Sequence, residues 1–357
     1  KEHQSVLLHV HETKGAITME KVTVLGAGSW GTALATVLAD NGHDTLIWSH
    51  REDQATEIHE HHTNAKYLKD VTLPANLHAT ANMAQAIEHA SIVVMAVPTK
   101  GIRETCQKMM QTLDKPVLFV HVSKGIEPGS LLRISEIMRE ELPASVIEDL
   151  VVLSGPSHAE EVVKQHPTTV AASCESLVAA ERVQDLFMNQ YFRVYTNPDV
   201  IGVEVGGALK NVIALAAGAV DGIGYGDNAK AALITRGLAE ISRLGVKMGA
   251  KPLTFMGLTG MGDLIVTCTS VHSRNYRAGF MLGEGKKLEQ VLDEMGMVVE
   301  GVRTAKAAHQ LAEKYDVALP ISAALYSVLF EDKTPLDAVD DLMLRMKKRE
   351  MDEIYNN

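Results

Sequence analysis

Gly26-Ala27-Gly28-Ser29-Trp30-Gly31 carries the first chemistry legible in this chain. It directly follows an apolar run, Val22–Leu25, and opens a segment of helical period, Trp30–Asp40, that Asn41-Gly42 can end in a left-handed cap. Each glycine then has a mechanical task. Gly26 makes a tight turn, Gly28 admits a pyrophosphate against the backbone, and Gly31 lets helix and strand pack closely. The helix N-terminus adds unpaired N–H groups and a partial positive charge. The expected ligand is a dinucleotide; an ordinary glycine-rich turn is the plainer reading, set aside because strand, helix, cap and second strand stand in register. That second strand ends in Trp48-Ser49-His50-Arg51, with no Asp or Glu to hold a ribose 2′-hydroxyl. His50 and Arg51 suit a 2′-phosphate, so NADPH is expected in preference to NADH, unless Arg51 simply begins a solvated helix.

Two lysines form the second group. The apolar run Val117–Val122 leads into Ser123-Lys124-Gly125, placing an ammonium at the carboxyl end of a parallel strand, where open α/β sheets bind ligands. Lys210 sits where Glu204-Val-Gly-Gly-Ala-Leu-Lys210-Asn211 becomes almost wholly apolar. A lysine desolvated there has a lowered pKa and can exchange a proton near neutrality, whereas a snorkelling lysine would not. Ser154-Gly155-Pro156-Ser157-His158-Ala159-Glu160 gives Ser157 and Glu160 capping-box spacing. Gly260-Met-Gly262-Asp263 is a second glycine-punctuated turn in which Asp263 has N-cap and ligand readings, and Ser273-Arg274-Asn275 reads as an N-cap and first helical turn. An arginine there opposes the helix dipole unless it serves an anion. The tract His59-Glu60-His61-His62 lacks the i, i+4 pair of a helical metal site, so a solvated helix or loop is expected and no metal.

These groups need elements to hold them. Apolar β-branched runs at Val22–Leu25, Thr45–Trp48, Ser91–Val97, Val117–Val122, Val151–Leu153, Thr168–Ala172 and Phe192–Tyr195 alternate with helical segments, implying βαβ units and a parallel sheet. Beyond Asn197 the pattern is helical only, as in Ala229–Leu244, Thr304–Tyr315 and Ser322–Phe330. The expected plan is an α/β doubly wound domain over 19–198 and an all-helical domain over 199–357, with 1–18 an extension outside the fold. At 357 residues two domains are expected on the prior of about one per 150.

The 34 Lys plus Arg against 45 Asp plus Glu give a net charge of −11, which argues against a nucleic-acid partner. The three cysteines, Cys106, Cys174 and Cys268, are too few and too scattered for a disulfide framework, so a reducing cytoplasm is expected. No apolar run, by this reading, approaches the roughly 18 residues of a membrane span.

Taken together, GAGSWGTALA (26–35), VSKGIE (122–127), SGPSHAEEV (154–162), ALKNVIALAAG (208–218), GLTGMGDLIVTC (257–268) and SRNYRAG (273–279) resemble the bacterial-type NAD(P)-dependent glycerol-3-phosphate dehydrogenases. The likeness runs from about Val22 to Leu344. It implies a Rossmann domain, a helical domain of the 6-phosphogluconate-dehydrogenase type, and a homodimer. By position it assigns Ser29, Trp30, His50, Arg51, Lys124, Ala159, Arg274, Val298 and Glu300 to the cofactor. Lys124, Gly155, Ser157, Asp263, Ser273, Arg274 and Asn275 go to the substrate, with Lys210 as proton acceptor. The implied reaction moves a hydride between NAD(P)H and C2 of dihydroxyacetone phosphate, supplying glycerol 3-phosphate for phospholipids. A β-hydroxyacid dehydrogenase or ketopantoate reductase would share the plan but take a carboxylate, which the phosphate-suited Arg274-Asn275 turn argues against; a non-catalytic NADP sensor would need neither lysine.

Overall fold

The computed structural model describes residues 19–347 and 349–350, so the extension expected at 1–18 lies outside the described residues. Strands and helices alternate first: β1 (Lys21–Leu25), α1 (Ser29–Asp40), β2 (Asp44–Trp48), α2 (Glu52–His61), β3 (Leu77–Thr80), α3 (Met83–His89), β4 (Ile92–Met95), α4 (Ile102–Met109), β5 (Val117–His121), α5 (Ile134–Glu141), β6 (Ile147–Ser154), α6 (Ala159–Val162), β7 (Thr168–Ser173), α7 (Leu177–Phe187) and β8 (Phe192–Asn197). Helices alone follow among the described residues: α8 (Val200–Ile223), α9 (Asp227–Lys247), α10 (Asp263–Thr269), α11 (Arg274–Gly283), α12 (Leu288–Met295), α13 (Glu300–Tyr315), α14 (Pro320–Phe330) and α15 (Pro335–Met343).

The strands form one sheet in the order β3-β2-β1-β4-β5-β6-β7-β8. The chain reverses direction across the sheet between β1 and β4, so the turns after these strands flank a crevice, as in a Rossmann domain. β1, β4 and β5 are apolar almost throughout because helices cover both faces. Leu34, Val37, Leu38 and Phe187 pack on one face, and Ile87, Ile102, Ile137 and Met138 on the other. All seven expected strands are present. The eighth, β3, was missed because its four residues, Leu77-His78-Ala79-Thr80, sit at the sheet edge and bury only Leu77 and Thr80. The sheet is also not wholly parallel: β7 runs antiparallel to β6, since the connection between them holds only the single-turn α6.

Asp199 starts α8 by accepting from the Gly202 N–H at 2.9 Å, and Gly224 at φ +96° ends it. The helix is long and apolar enough to cross a bilayer, which corrects the expectation that no such run exists; 94% of its apolar 18-residue stretch is, however, buried in the fold. It is the central post of the helical region, ringed by α9, α10, α11 and α13. Each fully buried Val, Leu or Ile on it contributes roughly 1.5–3 kcal/mol. Its buried carboxylate, Glu204, faces the sheet domain. Glu204 Oε1 accepts from the Ser135 N–H at 2.7 Å, Oε2 accepts from the Ser135 hydroxyl at 2.7 Å and from Arg133, and His121 Nε2 stands 3.0 Å away. Burial opposes its charge, but these partners outweigh burial and hold the carboxyl well below the usual carboxylate range.

α11 lies almost in backbone contact with α8. A Cβ on Gly279 would stand 1.9 Å from the Leu215 carbonyl oxygen, and one on Gly218 would stand 2.0 Å from that of Tyr276. Gly279→Ala should therefore force the helices apart and destabilise the protein by about 1–3 kcal/mol. A thermal melt checks this, and an unchanged Tm would refute the close approach.

Candidate active site

Three elements converge on one buried carboxylate. Beyond the end of β5, Lys124 directs its Nζ 2.7 Å from Asp263 Oδ2 and donates to the Gly155 carbonyl at 3.2 Å. From α8, Lys210 donates to Asp263 Oδ1 and, at 2.8 Å, to Thr267 Oγ1. The Thr267 hydroxyl donates its own hydrogen to the Asp263 carbonyl at 2.5 Å, which leaves a lone pair for Lys210. The Asp263 side chain is 1% exposed and that of Lys210 is 7% exposed. Burial lowers the Lys210 pKa most, to about 7; the Asp263 charge opposes that and the Lys124 ammonium adds to it. Burial works against the Asp263 charge as well, but the two lysines together keep its carboxyl below the usual value. Lys210 is thus a group that can give or take a proton near neutrality.

The other end of the crevice is the glycine turn. A Cβ on Gly26 (φ +114°) would stand 2.9 Å from the Ala96 carbonyl, and one on Gly31 would stand 2.0 Å from the Gly26 carbonyl, whereas nothing lies within 4 Å of a Cβ on Gly28. The start of α1 has no side-chain cap and no acidic residue in its first turn. Open space over Gly28 beside a free helix N-terminus fits a pyrophosphate. Across the crevice, Glu300 on α13 accepts from the Thr99 N–H at 3.0 Å through Oε1, while its Oε2 is buried with no partner among the described residues. Burial raises the Glu300 pKa. An orphaned buried acceptor of this kind fits an amide or hydroxyl donor on a ligand. The residues present therefore suit a dinucleotide.

Two family models match the chain, the NAD-dependent glycerol-3-phosphate dehydrogenase N-terminus over residues 21–180 and the corresponding C-terminus over 199–340. The NAD(P)+ glycerol-3-phosphate dehydrogenase of Lysinibacillus sphaericus is 73% identical over 336 residues, 94% of this chain and 99% of the relative. The Bacillus subtilis enzyme of the same name is 64% identical over 338 residues, 95% of this chain and 98% of the relative. The chain belongs to the glycerol-3-phosphate dehydrogenase family. The crystal structure of glycerol-3-phosphate dehydrogenase from Coxiella burnetii superposes with a TM-score of 0.87 at 37% identity, covering 92% of this chain and 99% of that one.

Within this family member, Lys124, Gly155, Ser157, Lys210 and Asp263 meet in one cluster. The Ser157 hydroxyl donates to the Gly155 carbonyl at 2.9 Å, and α6 has no side-chain cap, so the capping-box expectation fails. Asp263 is no N-cap either; its carboxylate is turned onto the lysines. Ser273 does cap α11, accepting from the Tyr276 N–H at 3.2 Å. Asn275 ties two helices together, donating to Asn211 Oδ1 and accepting from the Gly301 N–H, both at 2.9 Å. Arg274 is crowded by protein, and this burial lowers its pKa, yet it stays open to solvent and has no hydrogen-bond partner among the described residues. Ala159 is buried at the start of α6, Val298 is half-buried, and Trp30 packs partly against the core under α1. The Ser29 hydroxyl donates to the Tyr67 carbonyl at 3.1 Å. His50 and Arg51 stand apart at the exposed end of β2, where Arg51 pairs with Asp53, a residue not singled out in the sequence. Thr267 was also missed, although its place four residues after Asp263 on one helix face was a usable signal. The His59–His62 tract closes α2, and among the described residues no group of His, Cys, Asp and Glu is placed to hold a metal ion.

Replacing Asp263 by Asn leaves two lysines without their counter-charge. Asp263→Asn should cost about 3–5 kcal/mol of stability, and Lys210→Met in that background should restore part of it. Thermal melts of both variants check this; a wild-type Tm for Asp263→Asn would mean that the buried pairing carries no stability.

Proposed function

We propose that the chain interconverts dihydroxyacetone phosphate and sn-glycerol 3-phosphate with NAD(P)H, supplying glycerol 3-phosphate for phospholipid synthesis. The observation that carries this reading is the pair of lysines, one just beyond β5 and one on α8, held by one buried carboxylate beside a Rossmann crevice. When bound, NAD(P)H supplies a hydride to the C2 carbonyl carbon. Lys210 gives its proton to the developing alkoxide oxygen and takes it back in the oxidative direction. Lys124 stabilises the negative charge on that oxygen, and Asp263 with Thr267 keeps both ammoniums in place. Arg274, at the start of α11 with Glu300 and Glu160 as charge neighbours but no side-chain hydrogen bond among the described residues, receives the substrate phosphate, with Gly155, Ser157, Ser273 and Asn275 shaping the rest of that site. Gly26, Gly28, Ser29, Trp30 and Gly31 hold the cofactor pyrophosphate end, and Ala159, Val298 and Glu300 line its path.

Several finer assignments belong to this reading. His50 and Arg51 favour NADPH over NADH, with both accepted. The domains divide at 198/199, and the active form is a homodimer. A cytoplasmic location suits three free, buried cysteines.

Initial rates decide the function. Dihydroxyacetone phosphate should support rapid NADPH and NADH oxidation and unphosphorylated dihydroxyacetone should not, because binding energy at the remote phosphate orients the carbonyl. Equal efficiency with the two ketones would sink the reading.

Lys210→Met should lower turnover by at least roughly 10²–10⁴-fold while NADPH still binds. The pH dependence has a fixed sign. Reduction needs protonated Lys210, so its kcat/KM should fall as pH rises through about 7; oxidation needs the neutral amine and should rise over the same range. Profiles in both directions for the wild type check this, and parallel profiles would remove Lys210 from proton transfer.

A further inference from the structure

A pair of buried amide side chains stands behind the phosphate turn. Gln54 on α2 is 7% exposed and Asn64, in the loop after α2, is fully buried. Gln54 Nε2 donates to the Ala27 carbonyl at 2.6 Å and to Asn64 Oδ1 at 3.0 Å. Asn64 Nδ2 donates to the same carbonyl at 3.0 Å and to Thr32 Oγ1 on α1 at 2.8 Å. On its other side, Gln54 Oε1 accepts from the Ser49 hydroxyl at 2.7 Å, and Ser49 Oγ accepts from the Arg51 N–H at 3.1 Å. One buried chain of hydrogen bonds therefore runs from the end of β2 to the glycine turn.

The Ala27 carbonyl and the Gly28 N–H belong to one planar trans peptide, so they point in opposite directions. Two amides that hold the oxygen therefore aim that N–H away from themselves, at a residue whose Cβ position has nothing within 4 Å. We propose that Gln54 is a positioning residue that locks the phosphate turn to Arg51, so that the pyrophosphate and the 2′-phosphate of one dinucleotide are gripped at a fixed separation. This rests on the cofactor reading above. An apolar side chain of similar size would fill the space but leave both the Ala27 carbonyl and Ser49 short of a partner.

A double-mutant cycle tests it. The purified full-length protein, wild type, Gln54→Leu, Arg51→Ala and the double variant, is titrated with NADH and with NADPH, and kcat is measured at saturating cofactor and ketone. Gln54→Leu should weaken both cofactors by about tenfold, with a kcat close to wild type. It should weaken NADPH by a further few-fold that disappears in the Arg51→Ala background, since only NADPH spans both ends. Gln54→Glu, nearly isosteric, should act in the same direction and serves if the Leu variant does not fold. Unchanged NADH affinity in the Gln54 variants, or an excess NADPH loss that persists without Arg51, overturns the proposal. If Arg51→Ala leaves the NADPH-to-NADH ratio unchanged, the 2′-phosphate reading fails instead, and Gln54 as an anchor of the phosphate turn is judged by the NADH loss.

Discussion

The structure depends on a single carboxylate shared between two ammoniums. Taking three charges out of water is expensive, and only close geometry with every remaining polar atom satisfied offsets the expense. Asp263 itself is matched: each oxygen faces one lysine, and Thr267 takes a second of the three Lys210 N–H groups. The same contact joins the sheet domain, through Lys124, to two helices of the other. The balance is set by more than pairing. With Asp263 alone, Lys210 would hold its proton far above neutrality; burial and the neighbouring Lys124 bring it back to where a proton can move. The pairing that holds the two domains together and the proton affinity of Lys210 therefore both depend on Asp263.

A second buried carboxylate keeps that geometry from slipping. Glu204 and Lys210 are six residues apart on α8, about 9 Å along the axis, and they leave the helix in different directions. Glu204 is fixed to His121, Arg133 and Ser135, and Lys210 to Asp263. His121 lies three residues before Lys124. Two anchors on different faces of one helix constrain its rotation as well as its height against β5. The glycine contacts between α8 and α11 then carry that registration on to Arg274 and Asn275.

What the sequence disclosed is what depends on neighbours in the chain. The glycine turn between strand and helix, Lys124 after a buried strand and Lys210 entering an apolar helix are local patterns, and the structure has each where its pattern placed it. Features made by distant contacts were not legible. β3 is a strand only because β2 lies beside it, and the reversal at β7 follows from how the connection folds back. Gln54 and Asn64 look like ordinary polar residues until α1 is packed against them. Nor can composition distinguish a lipid interior from a protein interior, which is why α8 passes for a membrane span and is a core helix.

Consecutive residues at the start of α13 bind the two halves of the crevice together. Glu300 takes the Thr99 N–H from the turn after β4, and the Gly301 N–H goes to Asn275, next to Arg274. A shift of this helix end must therefore move the turn after β4 and the first turn of α11 in concert. Glu300 Oε2 is left buried with no hydrogen-bond partner among the described residues, and burial raises the carboxyl's pKa against the opposing pull of Thr99, Arg303 and Arg274. A hydrogen-bond donor brought to that oxygen would favour the carboxylate, so the end of α13 holds an acceptor that only a further donor can satisfy.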